Sequence, residues 1–145
     1  MKIFLAGIMQ GSKIQEAVHA QDWREPIRVS LEEHLSEAEI YCHYTAHPNS
    51  LAYTGERIRA TFEDGVTRAR NADILIAYLP SASMGTAIEM YEAWQSGALV
   101  LTISPMAANW VIRLYSHEIF ADVDNFVAYI ADGRLQKVLK DRRLP

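Results

Sequence analysis

The sequence predicts an α/β protein on a parallel sheet, and three observations carry that prediction. Short apolar runs alternate with segments of helical periodicity. The runs KIFLA (Lys2–Ala6), DILIAYL (Asp73–Leu79) and LVLTI (Leu99–Ile103) are nearly continuous, as expected of strands covered on both faces. Glycine, serine, asparagine and histidine gather just beyond the carboxyl ends of the strands, where doubly wound sheets bind ligands.

The elements follow in order. Lys2–Ala6 is the first strand, ended by Gly7. Ser12 is placed to cap a helix from Lys13 to about Gln21. A second helix is expected from Glu25 to about Leu35, with Pro26 tolerated in its first turn. EIYCHY (Glu39–Tyr44) alternates and is rich in β-formers, so it reads as the second strand. His47–Ser50 is a loop. From about Thr54 to Asn71 the pattern is helical, with Ile58, Phe62, Val66 and Ala69 on one face. Asp73–Leu79 is the third strand and Pro80–Met84 a turn. Thr86–Gln95 is a helix stopped at Gly97. Leu99–Ile103 is the fourth strand, Ala107–Tyr115 a short helix and Ile119–Ala121 the fifth strand. Helical turns at about Asp122–Ala131 and Leu135–Lys140 close the chain. No repeat, linker or low-complexity tract divides it, so residues 1–145 read as a single domain.

Composition sets bounds. The chain has 145 residues, 50% hydrophobic and 22% charged, with a formal net charge of -4. That is too apolar for disorder and too acidic for a broad nucleic-acid surface. The lone cysteine, Cys42, cannot form an internal disulfide, which fits a cytoplasmic protein. No targeting segment is expected, since the apolar stretch after Lys2 is too short for a signal peptide. The uncharged run Ala93–Ile112 is broken by Gly97 and Pro105, so it reads as helix end, strand and loop rather than a membrane span. Membrane partners are therefore not expected.

Fold logic names four loops as candidate ligand contacts: Gly7–Ser12, Thr45–Ser50, Pro80–Gly85 and Ser104–Asn109. Free amides in Gly7–Ile8–Met9–Gln10–Gly11–Ser12 suit a phosphate or carboxylate, and equally a plain strand-to-helix turn. The second is Pro80-Ser-Ala-Ser83-Met-Gly85-Thr86-Ala-Ile-Glu89. Small residues there let a ligand approach the backbone, and Glu89 lies about one helical turn in, where a carboxylate can serve as nucleophile or base. Thr86 and Glu89 also have the spacing of a capping box, in which both merely satisfy helix amides. Asp64 is either a candidate acid or a solvated surface group. His43, Tyr44 and His47 suit an aromatic and imidazole wall for a planar ligand; no further ligand at metal spacing follows them, and neither a metal nor a cofactor is expected.

KIFLAG (Lys2–Gly7), NADILIAYL (Asn71–Leu79), S-x-G-T-x-x-E (Ser83–Glu89) and A-x-x-x-G (Ala93–Gly97) together resemble the nucleoside 2-deoxyribosyltransferase superfamily. In length the chain is similar to that superfamily's 2'-deoxynucleoside 5'-phosphate N-hydrolases. The resemblance covers roughly residues 2–12 and 64–105. It implies a flavodoxin-like domain with a parallel sheet in the order 2-1-3-4-5 and helices on both faces. It also implies cleavage or transfer at an N-glycosidic bond of a deoxynucleoside or its 5'-monophosphate, through a covalent glycosyl-Glu intermediate. On this resemblance Glu89 is the nucleophile, Asp64 the acid for the leaving base, and Ser83 a contact to sugar or phosphate. Gly7, Ile8, Gln10, Gly11, Pro80, Gly85 and Thr86 line the substrate, and His43, in a segment outside the resemblance, is expected there from its own chemistry. A homodimer is implied, with a neighbouring subunit contributing around Met106–Asn109. Phe4 stands where the superfamily often has Tyr, Gln10 where the phosphate hydrolases carry Arg, and Gly65 where an Asp is usual. The alternative readings are a non-catalytic nucleotide-binding or sensor module on this fold, and a glycohydrolase of NAD-like ligands.

Overall fold

The computed structural model describes residues 1–15 and 17–144. Its strands are β1 (Lys2–Gly7), β2 (Glu39–Cys42), β3 (Ile74–Tyr78), β4 (Leu99–Ile103) and β5 (Glu118–Phe120). They form one five-stranded sheet, all parallel, in the order β2-β1-β3-β4-β5. The helices are α1 (Arg24–His34), α2 (His43–Ala46), α3 (Gly55–Arg70), α4 (Met84–Gln95), α5 (Trp110–Leu114), α6 (Val123–Ala131) and α7 (Arg134–Arg142). The fold class and strand order are those expected from the sequence.

Alternate strand residues feed two separate cores, as the period of a strand requires. On one face Ile3, Leu5, Ile74, Ile76, Leu99 and Leu101 pack under α1, α6 and α7, against Ile27, Leu31, Phe126 and Leu139. On the other, Phe4, Ala6, Leu75, Ala77 and Val100 meet Ala69 of α3 and Met90 and Ala93 of α4. The second core is rich in alanine, so α4 lies close to the sheet, and α3 packs on α4. No helix among the described residues is long and apolar enough to cross a membrane.

Four expectations are corrected. No helix forms among the described residues of Lys13–Gln21, and Ser12 caps nothing. The chain instead folds back on itself: the His19 amide donates to the Met9 carbonyl at 2.7 Å, and Ile14 stands fully in solvent. Ile14, Ala17 and Val18 have helical spacing, but with Ile14 in solvent that stripe is not buried, and helical propensity alone does not hold such a segment. The second strand stops at Cys42, because His43 and Tyr44 begin α2; the His47 amide closes that turn on the His43 carbonyl at 2.8 Å. The expected apolar face of α3 is only partly buried: Ala69 is enclosed, but Ile58 and Phe62 are exposed. The helix expected over Ala107–Tyr115 is confined to α5, because Asn109 takes the N-cap and accepts from the Val111 and Ile112 amides at 3.0 and 3.4 Å.

Candidate functional site

A cavity of about 290 Å³ opens at the carboxyl ends of β1 and β3, beside the N-terminus of α4. This is where the strand order reverses direction from β1, the expected ligand position in such a sheet. Its lining joins Gly7, Gln10 and Gly11 from the loop after β1, His43 from α2, and Ser83, Gly85, Thr86 and Glu89 from the β3–α4 junction. These are eight of the residues singled out from the sequence.

The helical end of the β3–α4 junction is capped locally. Ser83 is the N-cap of α4; its Oγ accepts from the Thr86 amide at 3.4 Å and bonds Thr86 Oγ1 at 3.0 Å. The cap is thus made by Ser83 with Thr86, and Glu89 is left out of it. The Glu89 carboxyl instead faces the cavity and α3, where a methyl group on Gly65 would stand 3.7 Å from its Oε1. Enclosure by protein pushes the Glu89 pKa up to about 8; the charge of Arg24 works in the opposite direction.

The loop after β1 is held by packing. Gly7 lies flat against the Trp23 ring, so a Cβ there would run into the ring carbons. Trp23 in turn stacks on Tyr78, with ring centroids 4.4 Å apart. Gly11 has φ +58°, a conformation that favours glycine.

Other expected site residues lie elsewhere. Ile8 is fully buried, and its amide is spent on the Tyr78 carbonyl at 3.1 Å. Pro80 lines a separate, more open cavity beyond the carboxyl ends of β3 and β4, with Ser104 and Asp122. Asn109 is exposed as the cap of α5. Its loop is drawn away because buried Ser104 donates to the Leu79 carbonyl at 2.6 Å and accepts from the Met106 amide. Thr45 lines a second cavity at the edge of β2. Asp64 is half exposed and bound to Arg68 Nε at 2.7 Å, outside the cavity lining. Gly65, a helical residue later, is the position that faces Glu89, and a rotation of about 100° separates the two.

Arg24 is the lining residue that sequence reasoning missed. It is only 7% exposed, and its guanidinium lies 4.1 Å from the Trp23 ring. Nε donates to Gln21 Oε1 at 2.8 Å, and Nη1 to the Leu5 carbonyl and Cys42 Sγ at 3.3 and 3.2 Å. Gln21 is fixed through its amide nitrogen by the Ile8 and His19 carbonyls. Only the sequence position at the start of a helix pointed to Arg24, and that position ordinarily belongs to a surface residue. His43, also in the lining, has its pKa lowered by burial and then by His47 and Arg24. Met9, Thr61, Phe62 and Met84 complete the rim. Among the described residues no group of three or more His, Cys, Asp or Glu side chains is placed to hold a metal ion.

No protein-family profile matches the chain, and no curated protein sequence does. Solved structures do. The 2-deoxyribosyltransferase of Bacillus psychrosaccharolyticus superposes with a TM-score of 0.64 at 18% identity, over 89% of this chain and 92% of that one. The CMP N-glycosidase BcmB of Clostridium botulinum gives 0.55 at 19% identity, over 90% and 98%. The solution structure of BlsM gives 0.69 at 18% identity, over 99% and 94%. This chain therefore has the nucleoside 2-deoxyribosyltransferase-like fold.

Proposed function

We propose that the protein cleaves or transfers at the N-glycosidic bond of a nucleoside or nucleotide, with Glu89 as the nucleophile. The observation that supports this reading best is the Glu89 carboxyl: free of the helix cap, part-buried, and lining the cavity at the sheet's switch point. A transferase and a glycosidase of that bond share the fold.

The chemistry follows from the geometry. As the base departs, the anomeric carbon gains positive charge, which an adjacent carboxylate stabilises and then bonds, giving a glycosyl-enzyme. Water or a second base releases the sugar. Ser83, Gly85 and Thr86, at the N-terminus of a helix of 12 residues, offer hydroxyls and a positive dipole end to a sugar hydroxyl or 5'-phosphate. Phe62 and Met84 give an apolar rim to a planar base.

A second copy of the chain is part of this reading. Met84, Ile88 and Tyr91 are exposed on one face of α4, and Phe62 on α3 borders them. Trp110 and Leu114 of α5 continue the patch, joined to α4 by the Tyr91–Tyr115 ring contact. An apolar surface of this kind, contiguous with the cavity mouth, suits a homodimer that closes the site. Sedimentation should show a dimer at micromolar concentration, and a monomer throughout would remove this part of the proposal. The reaction itself is tested by chromatography of bases released from nucleosides, deoxynucleosides, their 5'-monophosphates and NAD. Release from one class, lost in Glu89→Ala, is the expected result. Binding without release from any of them, with or without an acceptor base, favours a binding module.

A further inference from the structure

Breaking the N-glycosidic bond sends both bonding electrons onto the departing base, and a proton or a cation must meet that charge. Glu89 must be ionised to act as the nucleophile, and the described lining residues hold no second acid for this. Asp64 is outside it, paired with Arg68. His43 is inside, but its lowered pKa leaves it neutral at pH 7. Arg24 is the one Arg or Lys among the described lining residues.

Arg24 is built for the task. Nε and Nη1 are committed to protein acceptors, and the Trp23 ring fixes the plane of the guanidinium. Nη2 meets only the Met9 thioether, a weak acceptor at 3.6 Å. No carboxylate forms an ion pair with Arg24 among the described residues. A buried guanidinium stays charged, so the site carries an uncompensated cation whose field reaches Glu89.

We propose that Arg24 is a catalytic residue that binds a carbonyl oxygen of the departing base through Nη2 and takes up the negative charge developing there. The inference rests on the N-glycosidic reading above and narrows its substrates to nucleosides or nucleotides of oxo-pyrimidines. In these bases the C2 carbonyl adjoins the glycosidic nitrogen, so the charge spreads directly onto an oxygen. The C1'–N1 bond breaks with its electron pair passing into the N1–C2–O2 unit, while a bond forms between C1' and a Glu89 oxygen. Water then attacks C1', the bond to Glu89 breaks, and the proton from water passes to the pyrimidine anion. Free sugar, neutral base and the Glu89 carboxylate result.

The test is a series of uracil deoxynucleosides whose bases leave with increasing ease: unsubstituted, 5-fluoro and 5-nitro. Each is assayed with and without a 5'-phosphate. In Arg24→Met, kcat should fall about 100-fold or more for uracil and progressively less for the more acidic bases, steepening the dependence on leaving-group pKa. Arg24→Lys should recover part of the loss with a shallower dependence. Gln21→Leu, which releases only Nε, should steepen it mildly and serves if Arg24→Met does not fold. Equal losses across the series overturn the inference, as do losses confined to the monophosphates, which would make Arg24 a phosphate anchor. If the unaltered protein releases no base from any of these substrates or from the wider panel, the N-glycosidic reading itself fails; the other two failures leave that reading intact.

Discussion

After β3 the chain reaches α4 through Leu79–Ser83 alone; after β1 it needs Ile8–Trp23 to reach α1. Both connections wall the same cavity. The short one is anchored at Leu79 to Ile103 and Ser104 beside it and finished by its own cap, Ser83 to Thr86. The long one is held from outside: Trp23 lies over Gly7, and Gln21 reaches back to the Ile8 and His19 carbonyls. One wall carries the proposed nucleophile and is locally encoded. The other carries the buried cation and exists only when α1 has packed.

That contrast can be broken by substitution. The largest effect belongs to the short wall. Glu89→Gln should lower base release about 10³-fold or more while ligand binding, followed calorimetrically, survives. Because only the ionised carboxylate attacks, kcat/KM of the unaltered protein should climb with pH up to about 8 and then level. A profile flat from pH 5 to 9 would contradict the raised pKa.

The next effects concern stability. Gly7→Ala forces a methyl group into the Trp23 ring and should cost about 1–3 kcal/mol in urea unfolding. Gly85→Ala, in helix α4 with its added methyl at an ordinary 3.6 Å from Phe62, should be neutral or stabilising by up to about 1 kcal/mol. Equal costs would mean that the long wall is no more dependent on packing than the short one. Glu89 adds a pH signature. Its pKa is raised on folding, so the native state holds a proton that the unfolded chain gives up between about pH 4.5 and 8. The contribution of this group to stability therefore falls as pH rises through that window, by up to about 5 kcal/mol, and Glu89→Gln should remove the fall.

The smallest effect is expected at Asp64. Its pair with Arg68 is exposed, so Asp64→Asn should change stability by less than about 1 kcal/mol. Base release should change by less than about threefold, since the side chain is outside the cavity. A drop of a hundredfold would restore Asp64 as the acid and displace Arg24.

The same contrast explains what was legible in the sequence. The strands follow from local signals, apolar runs and glycine stops, while their order was implied by the family resemblance. The β3–α4 junction was legible as a turn into a helix, but its cap is Ser83 with Thr86 where Thr86 with Glu89 was expected. Glu89 could be named because its position one turn into α4 is fixed by that junction. The Lys13–Gln21 segment misled because its composition tolerates a helix, and nothing local records that Met9 and His19 pair across it. Arg24 was invisible for a related reason. Its burial is decided by Leu5 of β1 and Cys42 of β2, both remote in sequence, together with the ring of its neighbour Trp23. Asp64 and Gly65 show the limit of spacing arguments on a helix, where one residue decides between solvent and site.

Arg24 also has a far side. It and Leu5 line a second cavity, entered from the edge of β2 and bordered by Cys42, whose sulfur lies 3.2 Å from Nη1. The guanidinium is thus a partition between two chambers that open on different surfaces. A compound seated in the outer chamber, or a bulky adduct on Cys42, pushes the partition without entering the substrate's space. Inhibition from that side would lower turnover without competing for substrate, and a substrate at any concentration would not reverse it.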